Sequence, residues 1–480
     1  MRYNFPMQND TIAAIATPLG IGGIGVVRVS GADAFSIVLP LFRRPGGQLG
    51  VPPSHLLTYG HIINLDSAAQ DVIDEVMIAF MRAPHTYTRE DVVEIQGHGG
   101  PLVQRRILQA VLAQGARMAN PGEFTMRAFL NGRLDLAQAE AVMDLIESQT
   151  EAGQRLAMQQ LRGLLSEQLQ EARLSILNVV ARIEASIDFP EEDVPTPQPD
   201  ELYPLIAQAQ QQVDTLLAGA EQGRLYRQGL RIAIIGRPNV GKSSLFNALL
   251  RTERAIVTAI AGTTRDTVEE VANLHGIPLY LIDTAGITPS QDPVEQIGVR
   301  RSRAAAESAD VVLLIFDGSE PLGELDRLVC DELGVLGFGA AREDGATPRP
   351  VIVVVSKSDL KQQIEIDELH RMWPASPFVS SSILHEDGLV RLEETLSDFT
   401  LRGNSLQSDS VLVTSARHQN ALQRASEHLR AAAISLEARL PLDFVSIDLR
   451  AAYHVLGEVT GETASEDLLN NIFDQFCIGK

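Results

Sequence analysis

The residues best placed to do chemistry are Gly236, Gly241, Lys242 and Ser243, which stand in the spacing G-x4-G-K-S directly after an apolar run from Ile232 to Ile235. This is a complete P-loop pattern. Its glycines let successive backbone N–H groups converge on phosphate oxygens, the lysine ammonium neutralises β and γ phosphates, and the serine hydroxyl coordinates Mg2+. A helix expected from about Ser244 adds the positive end of its dipole to the same point.

The matching parts follow downstream in order. A predicted strand from Leu279 to Ile282 ends in Asp283-Thr284-Ala285-Gly286, where the aspartate can hold Mg2+ through water and the glycine amide can sense a γ-phosphate. Between the two lies a loop with Gly262-Thr263-Thr264, in which one threonine hydroxyl can complete the Mg2+ shell when a γ-phosphate is present. A later apolar run, Val351 to Val355, feeds Ser356-Lys357-Ser358-Asp359, close to the guanine signature N-K-x-D. Asp359 would accept from the N1 and N2 hydrogens of guanine and so favour GTP over ATP. Ser356 stands in place of the usual asparagine; it either weakens base binding or substitutes its hydroxyl.

The device for hydrolysis is less direct. Ile287 follows Gly286 where Ras-like enzymes carry a water-orienting glutamine. Asn239 and the threonine-rich loop from Ile256 to Thr264 can instead build a monovalent-cation site that supplies the charge of an arginine finger. Glu295 can orient the attacking water. By spacing alone it fits equally a solvated charge at a helix end.

The elements that must position these groups make a chain too long for one core: 480 residues suggest about three domains. Residues 10–133 mix short strands with glycine turns. Val26 to Val29 form a β-like run holding Arg28, and Gly20 to Gly25 are expected as a loop. Gln96-Gly97-His98-Gly99-Gly100 is either a close approach of backbone to a ligand or a plain tight turn before a helix from Pro101 to Gln114. From Leu134 to Ile187 there is no proline, and Leu165, Leu169, Ala172, Ile176, Val180 and Ile183 recur at helical spacing, so a long helical stretch with a bundle core is predicted. Further helices are expected over 202–222, 416–439, 443–459 and 465–476, so an α/β module interrupts a helical region.

Composition narrows the partners. With 40 basic and 62 acidic residues, net −22, the surface does not coat nucleic acid generally, and any nucleic acid must meet a local patch. Two distant cysteines, Cys330 and Cys477, fit a reducing compartment. No run reaches the roughly 18 to 20 apolar residues of a membrane span, so stable membrane insertion is not expected.

Several separated stretches, DTIAAIATPLGIGGIGVVRVSG, EDVVEIQGHGGP, PGEFTMRAFLNGRLDLAQAEA, IDFPEED, GRPNVGKSSLFNAL, AIVTAIAGTTRD, DTAGI and the terminal FCIGK, together resemble the MnmE (TrmE) family of tRNA modification GTPases across nearly the whole chain. The resemblance implies a cytoplasmic homodimer of three parts. These are an N-terminal α+β tetrahydrofolate-binding and dimerisation domain, here residues 1–133, a helical bundle domain from 134–228 and 401–480, and an inserted Ras-like P-loop GTPase domain, 229–400, with a doubly wound, mostly parallel sheet. It implies that, with the FAD-containing partner MnmG in a heterotetramer, such proteins form 5-carboxymethylaminomethyl or aminomethyl uridine at the wobble position of certain tRNAs. A 5-formyl-tetrahydrofolate or related folate takes part, and GTP hydrolysis depends on K+ and on G-domain dimerisation.

By matched position, the resemblance implies a GTP site of Asn239, Val240, Gly241, Lys242, Ser243, Ser244, Thr258, Ala259, Ile260, Ala261, Gly262, Thr263, Thr264, Asp283, Thr284, Ala285, Gly286, Ser356, Lys357, Asp359 and Ser382. Ser243 and Thr264 would bind Mg2+; Asn239, Thr258, Ile260 and Thr263 would bind K+; Glu295 would be catalytic. The folate positions are Arg28, Glu94, Arg133 and Lys480, with Arg133 standing where some relatives have lysine. Cys477 is open between packing a terminal helix and assisting one-carbon chemistry. A GTP-dependent ribosome-assembly switch would share the G-domain motifs. It would not need the N-terminal and FCIGK motifs, and would usually carry a basic RNA-binding appendage.

Overall fold

The computed structural model describes residues 10–47, 50–65, 71–188, 197–252, 269–283, 303, 305–339, 349–382, 386–401 and 413–479. In chain order the first strands and helices are β1 (Ile12–Ile15), β2 (Gly22–Ser30), α1 (Ala34–Val38), β3 (Phe42–Arg43), β4 (Leu57–Ile63), β5 (Val72–Met81), β6 (Val92–Gly99), α2 (Pro101–Ala113), β7 (Arg117–Met118) and α3 (Glu123–Leu130). Helices α4 (Leu136–Glu147), α5 (Glu151–Leu161), α6 (Leu164–Asp188), α7 (Pro199–Ala218) and α8 (Ala220–Gln228) come next. Then follow β8 (Leu230–Ile235), α9 (Lys242–Thr252), β9 (Glu269–Leu274), β10 (Ile277–Asp283), β11 (Val311–Asp317), α10 (Glu324–Val335), β12 (Val351–Ser356), α11 (Ile366–Met372), β13 (Phe378–Ser380) and α12 (Glu386–Leu401). The chain closes with α13 (Ala416–Glu437), α14 (Leu442–Thr460) and α15 (Glu466–Phe473). It divides into two compact units: Met1–Met143 with Gln159–Asp214 and Asn420–Lys480, and Asp144–Met158 with Thr215–Gln419.

The first unit contains a seven-stranded sheet in the order β3-β4-β5-β6-β2-β1-β7, antiparallel except for β1 with β7. One face is apolar and buried: Val27, Val29, Val76, Ile78, Val93 and Ile95 pack with Ile107, Leu108 and Val111 of α2. The other carries a row in register, Tyr59, Met77, Gln96 and Val26, across four strands. Alternation along each strand thus puts a closed core on one side and an open surface on the other.

Two expectations change here. Gly22 to Gly25 begin β2 and are not loop. Gly97 and Gly99 of the Gln96 to Gly100 stretch are explained by strand packing: a Cβ on Gly97 would lie 2.5 Å from Asp74 Oδ2, and one on Gly99 2.5 Å from the Gly22 carbonyl. Asp74, buried, accepts from the His98 backbone N–H at 2.7 Å and pairs with His98 Nδ1 at 2.6 Å.

The helical stretch from 134 to 187 is three helices. Gly163, at φ 90, lies between α5 and α6, and the Thr150 hydroxyl accepts from the Gly153 N–H at 3.1 Å ahead of α5. Leu165, Leu169, Ala172, Ile176, Val180 and Ile183 are buried on one stripe of α6, as their spacing requires. Helix α14 packs along α6, and Ser465 caps α15 by accepting from the Leu468 N–H at 3.3 Å.

In the second unit the sheet order is β13-β12-β11-β8-β10-β9, parallel throughout except the hairpin β9 to β10. His275 and Gly276, at φ 49 and 92, make that hairpin's two-residue turn, which needs left-handed backbone at both places. Strands β11 and β12 are buried at every residue, the mark of a parallel sheet covered on both faces. This is the doubly wound, mostly parallel sheet expected around the P-loop.

Beside α3 in the first unit lies an ionic network. Glu123 accepts from Arg117 at 2.7 Å, from Arg127 at 3.0 Å and from the Asn120 N–H at 2.8 Å; Asp10 bridges the same two arginines at 2.7 and 2.8 Å. Burial would push the Glu123 carboxyl up, but these donors outweigh it and hold it below the usual carboxylate range. A carboxyl lowered in the folded state contributes stability above its unfolded pKa and loses it as pH falls through the folded value. Glu123→Gln should therefore cost about 2 kcal/mol near neutral pH, because it removes charged hydrogen bonds to two arginines and leaves Arg127 to Asp10 and Glu90 alone. Urea unfolding of both proteins checks this. The gap should narrow as pH drops below about 4, and a pH-independent gap would show that ionisation of Glu123 contributes nothing.

Candidate functional site

Strand β8 delivers the chain to Gly236 at the carboxyl edge of the parallel sheet, where open α/β folds bind ligands. A Cβ there would sit 2.4 Å from the Ile315 carbonyl oxygen of β11, so only glycine lets the loop leave so close to its neighbour. Asn239, at φ 64, and Gly241, at φ 103, turn the loop through left-handed backbone, while Val240 is fully buried and pins it. Lys242 Nζ curls back to donate to the carbonyls of Gly236 and Arg237, each at 2.8 Å. Arg237 is anchored outward by Glu320 at 2.5 Å and Asp326 at 3.3 Å.

Ser243 and Ser244 stand exposed on the first turn of α9. The backbone turn, the lysine and the helix start fit a polyphosphate, and the exposed Ser243 hydroxyl is the hard oxygen donor Mg2+ takes. Asp283 ends β10, in register with Ile234 of the neighbouring β8.

The end of the site that would take a base is built by β12 and β13. Ser356 Oγ, buried, donates to the Val240 carbonyl at 2.6 Å and the Phe316 carbonyl at 3.0 Å, tying the end of β12 to the phosphate loop and to β11. Lys357 adopts φ 56 and its ammonium meets Asp317 at 2.5 Å. Burial would raise the Asp317 carboxyl, yet Lys357 and Ser319 hold it below its ordinary range. Ser382 Oγ donates to Asp359 Oδ1 at 2.6 Å, which fixes the carboxylate's orientation. The structure thus brings Asn239 to Ser244, Ser356, Lys357, Asp359 and Ser382 to one edge of one sheet. Thr258, Ala259, Ile260, Ala261, Gly262, Thr263, Thr264, Thr284, Ala285, Gly286 and Glu295 lie outside the described residues.

A second cluster belongs to the first unit. Arg28 and Glu94 are cross-strand partners on β2 and β6, and their side chains pair at 2.8 Å. The Arg28 guanidinium lies 5.5 Å from the Tyr87 ring centre and 5.7 Å from that of Phe124. Arg133 stacks on Tyr87 at 4.7 Å and donates to its carbonyl at 2.8 Å. The chain's end docks beside them: the Gly122 N–H donates to the Cys477 carbonyl at 3.4 Å, and Arg28 donates to the Gly479 carbonyl at 3.5 Å. A Cβ on Gly479 would fall 2.4 Å from the Ile15 carbonyl, so this turn also needs glycine. Cys477 is exposed, and Lys480 lies outside the described residues. Arg28, Glu94 and Arg133 are together, over two aromatic rings that residue spacing did not single out. A carboxylate beside a guanidinium above aromatic faces suits a flat, polar heterocycle such as a pterin.

Residues 136–477 match the family described as MnmE helical domain, and residues 11–133 the family described as GTP-binding protein TrmE N-terminus. The tRNA modification GTPase MnmE of Chloroflexus aurantiacus is 50% identical over 477 residues, 98% of this chain and 100% of that protein. Its counterpart in Geobacillus thermodenitrificans is 46% identical over 473 residues, 98% of this chain and 99% of that protein. With the phosphate loop and base end assembled on one sheet edge, these likenesses establish that the chain belongs to the MnmE (TrmE) family of tRNA modification GTPases and is a GTP-hydrolysing enzyme.

Proposed function

We propose that this chain couples K+-dependent GTP hydrolysis to modification of tRNA. It acts in the cytoplasm as a homodimer whose G domains pair to become active, together with the FAD-containing partner MnmG and a reduced folate. The product is 5-carboxymethylaminomethyl or aminomethyl uridine at the wobble position. The working parts are a folate-binding domain over 1–133, a helical domain from 134–228 and 401–480, and a G domain over 229–400.

The observation that carries the nucleotide half is the left-handed Asn239 beside Lys242 at the mouth of the loop, in a chain with Ile287 where a water-orienting glutamine would stand. Asn239, Thr258, Ile260 and Thr263 hold K+, which supplies the positive charge that an arginine finger otherwise brings. Ser243 and Thr264 hold Mg2+, Asp283 through water, and Glu295 orients the attacking water. Self-pairing is supported by the open face of the first sheet, where Leu57, Tyr59, Met77 and Ile24 are 53%, 46%, 37% and 68% exposed. A folate is supported by the Arg28, Glu94 and Arg133 cluster and the docked chain end, with Lys480 as the remaining contact. Among the described residues no helix is long and apolar enough to cross a membrane.

Steady-state GTP hydrolysis in matched K+ and Na+ buffers tests the first half. A rate at least tenfold higher in K+ is expected, and equal rates would remove the cation. Glu295→Ala should bind GTP nearly normally and hydrolyse it about 100-fold more slowly or worse; undiminished turnover would take Glu295 out of the reaction. For the folate site, Glu94→Gln and Arg28→Ala should each weaken 5-formyl-tetrahydrofolate about tenfold or more by calorimetry, the loss of a charged hydrogen bond. Unchanged affinity in both would place the folate elsewhere.

A further inference from the structure

We propose that Ser356 makes this enzyme blind to N7 of the guanine base, so that base selection rests on Asp359 and its positioning partner Ser382. The inference rests on the guanine-nucleotide reading of the site. A serine has one O–H donor. Here that donor is spent inside the protein, shared between the Val240 carbonyl at 2.6 Å and the Phe316 carbonyl at 3.0 Å. Ser356 is only 6% exposed, so the hydroxyl has no competing pull from solvent.

Guanine offers only acceptors, N7 and O6, on the edge away from its N1 and N2 hydrogens. A group that meets N7 must donate, and Ser356 has nothing left to donate. An asparagine at the same place would differ in a specific way. Its amide carries two N–H donors on a longer side chain, enough to hold the Val240 carbonyl with one and offer the other to the base. Ser356 retains the tether between base end and phosphate loop and gives up the contact to N7. The other side of the base stays provided for: Asp359 is a carboxylate that accepts from N1 and N2 hydrogens, and the Ser382 hydroxyl at 2.6 Å sets its angle.

The test is equilibrium binding of GDP, 7-deaza-GDP, IDP and ADP to the full chain. IDP lacks the 2-amino group and 7-deaza-GDP lacks only the N7 acceptor. The expected result is 7-deaza-GDP within twofold of GDP, with IDP at least tenfold weaker. Ser356→Asn should open a gap, binding 7-deaza-GDP about three- to tenfold more weakly than GDP, the net worth of one hydrogen bond. Ser356→Ala, which removes the tether alone, should weaken GDP and 7-deaza-GDP by the same factor. A wild-type gap of threefold or more between GDP and 7-deaza-GDP overturns the inference, as does an unequal loss in Ser356→Ala. Those outcomes leave the guanine reading standing if ADP binds far more weakly than GDP. ADP binding as tightly as GDP would instead remove the guanine reading, and this inference with it.

Discussion

Gathering several backbone N–H groups around one phosphate forces the chain to turn more tightly than side chains permit, and the second unit is arranged to allow it. The loop leaves β8 at Gly236 with no room for a Cβ beside the Ile315 carbonyl, then turns left-handed at Asn239 and Gly241. Such a turn holds its shape only if both ends are fixed. One end is β8, central in a sheet whose neighbours β10 and β11 are parallel to it. The other is α9, whose Leu245, Leu249 and Leu250 are buried. Each fully buried Leu, Ile or Val contributes about 1.5 to 3 kcal/mol. The rows Val311 to Phe316 and Val351 to Val355 therefore make a rigid floor rather than a pliant one. Val240, buried within the loop itself, extends that floor to the site.

What local chemistry dictates was legible from residues alone. The phosphate loop, the buried parallel strands and the apolar stripe of α6 each depend on neighbours within a few positions, so spacing reveals them. Where the sequence misled, a local rule was overridden by a contact from elsewhere. Gly22 to Gly25 looks like a loop by composition, yet it is strand because β6 runs beside it, and Gly25 lies against the side chain of Gln104 in α2, 2.4 Å from where a Cβ would sit. The run from 134 to 187 has no proline to divide it, and the division comes from Thr150 and Gly163.

The parts of both sites that spacing could not show are long-range in sequence. Ser356 reaches Val240 across 116 positions, and Arg28 reaches Gly479 across 451. Tyr87 and Phe124 lie under Arg28 only because β2, β6 and α3 converge, and neither residue type at its place signals that convergence. Resemblance supplied Arg28, Glu94 and Arg133 as a set; the rings beneath them and the chain end at their side are what the fold adds. Arg127 and Glu123 illustrate the same point for stability, since their value depends on Asp10, more than a hundred residues earlier.

Ser356, where the guanine signature has asparagine, and Arg133, where some relatives have lysine, follow one rule: the side chain satisfies a backbone carbonyl with the geometry it has. Serine is shorter than asparagine, and at position 356 it sits within reach of two carbonyls, which its single proton serves from a buried place. Arginine is longer and flatter than lysine. Arg133 uses that shape to stack on Tyr87 at 4.7 Å while one N–H reaches the Tyr87 carbonyl, an arrangement that a compact ammonium cannot reproduce. Both side chains make a tether within the protein, and the tether decides what is left over for a ligand: no free hydroxyl proton toward the base, and a planar cation held against an aromatic ring beside the Arg28 and Glu94 pair. The two tethers differ in weight: the Val240 and Phe316 carbonyls meet Ser356 in a buried place where an unmade hydrogen bond is costly, whereas the Tyr87 carbonyl meets Arg133 at the surface, where water can replace it.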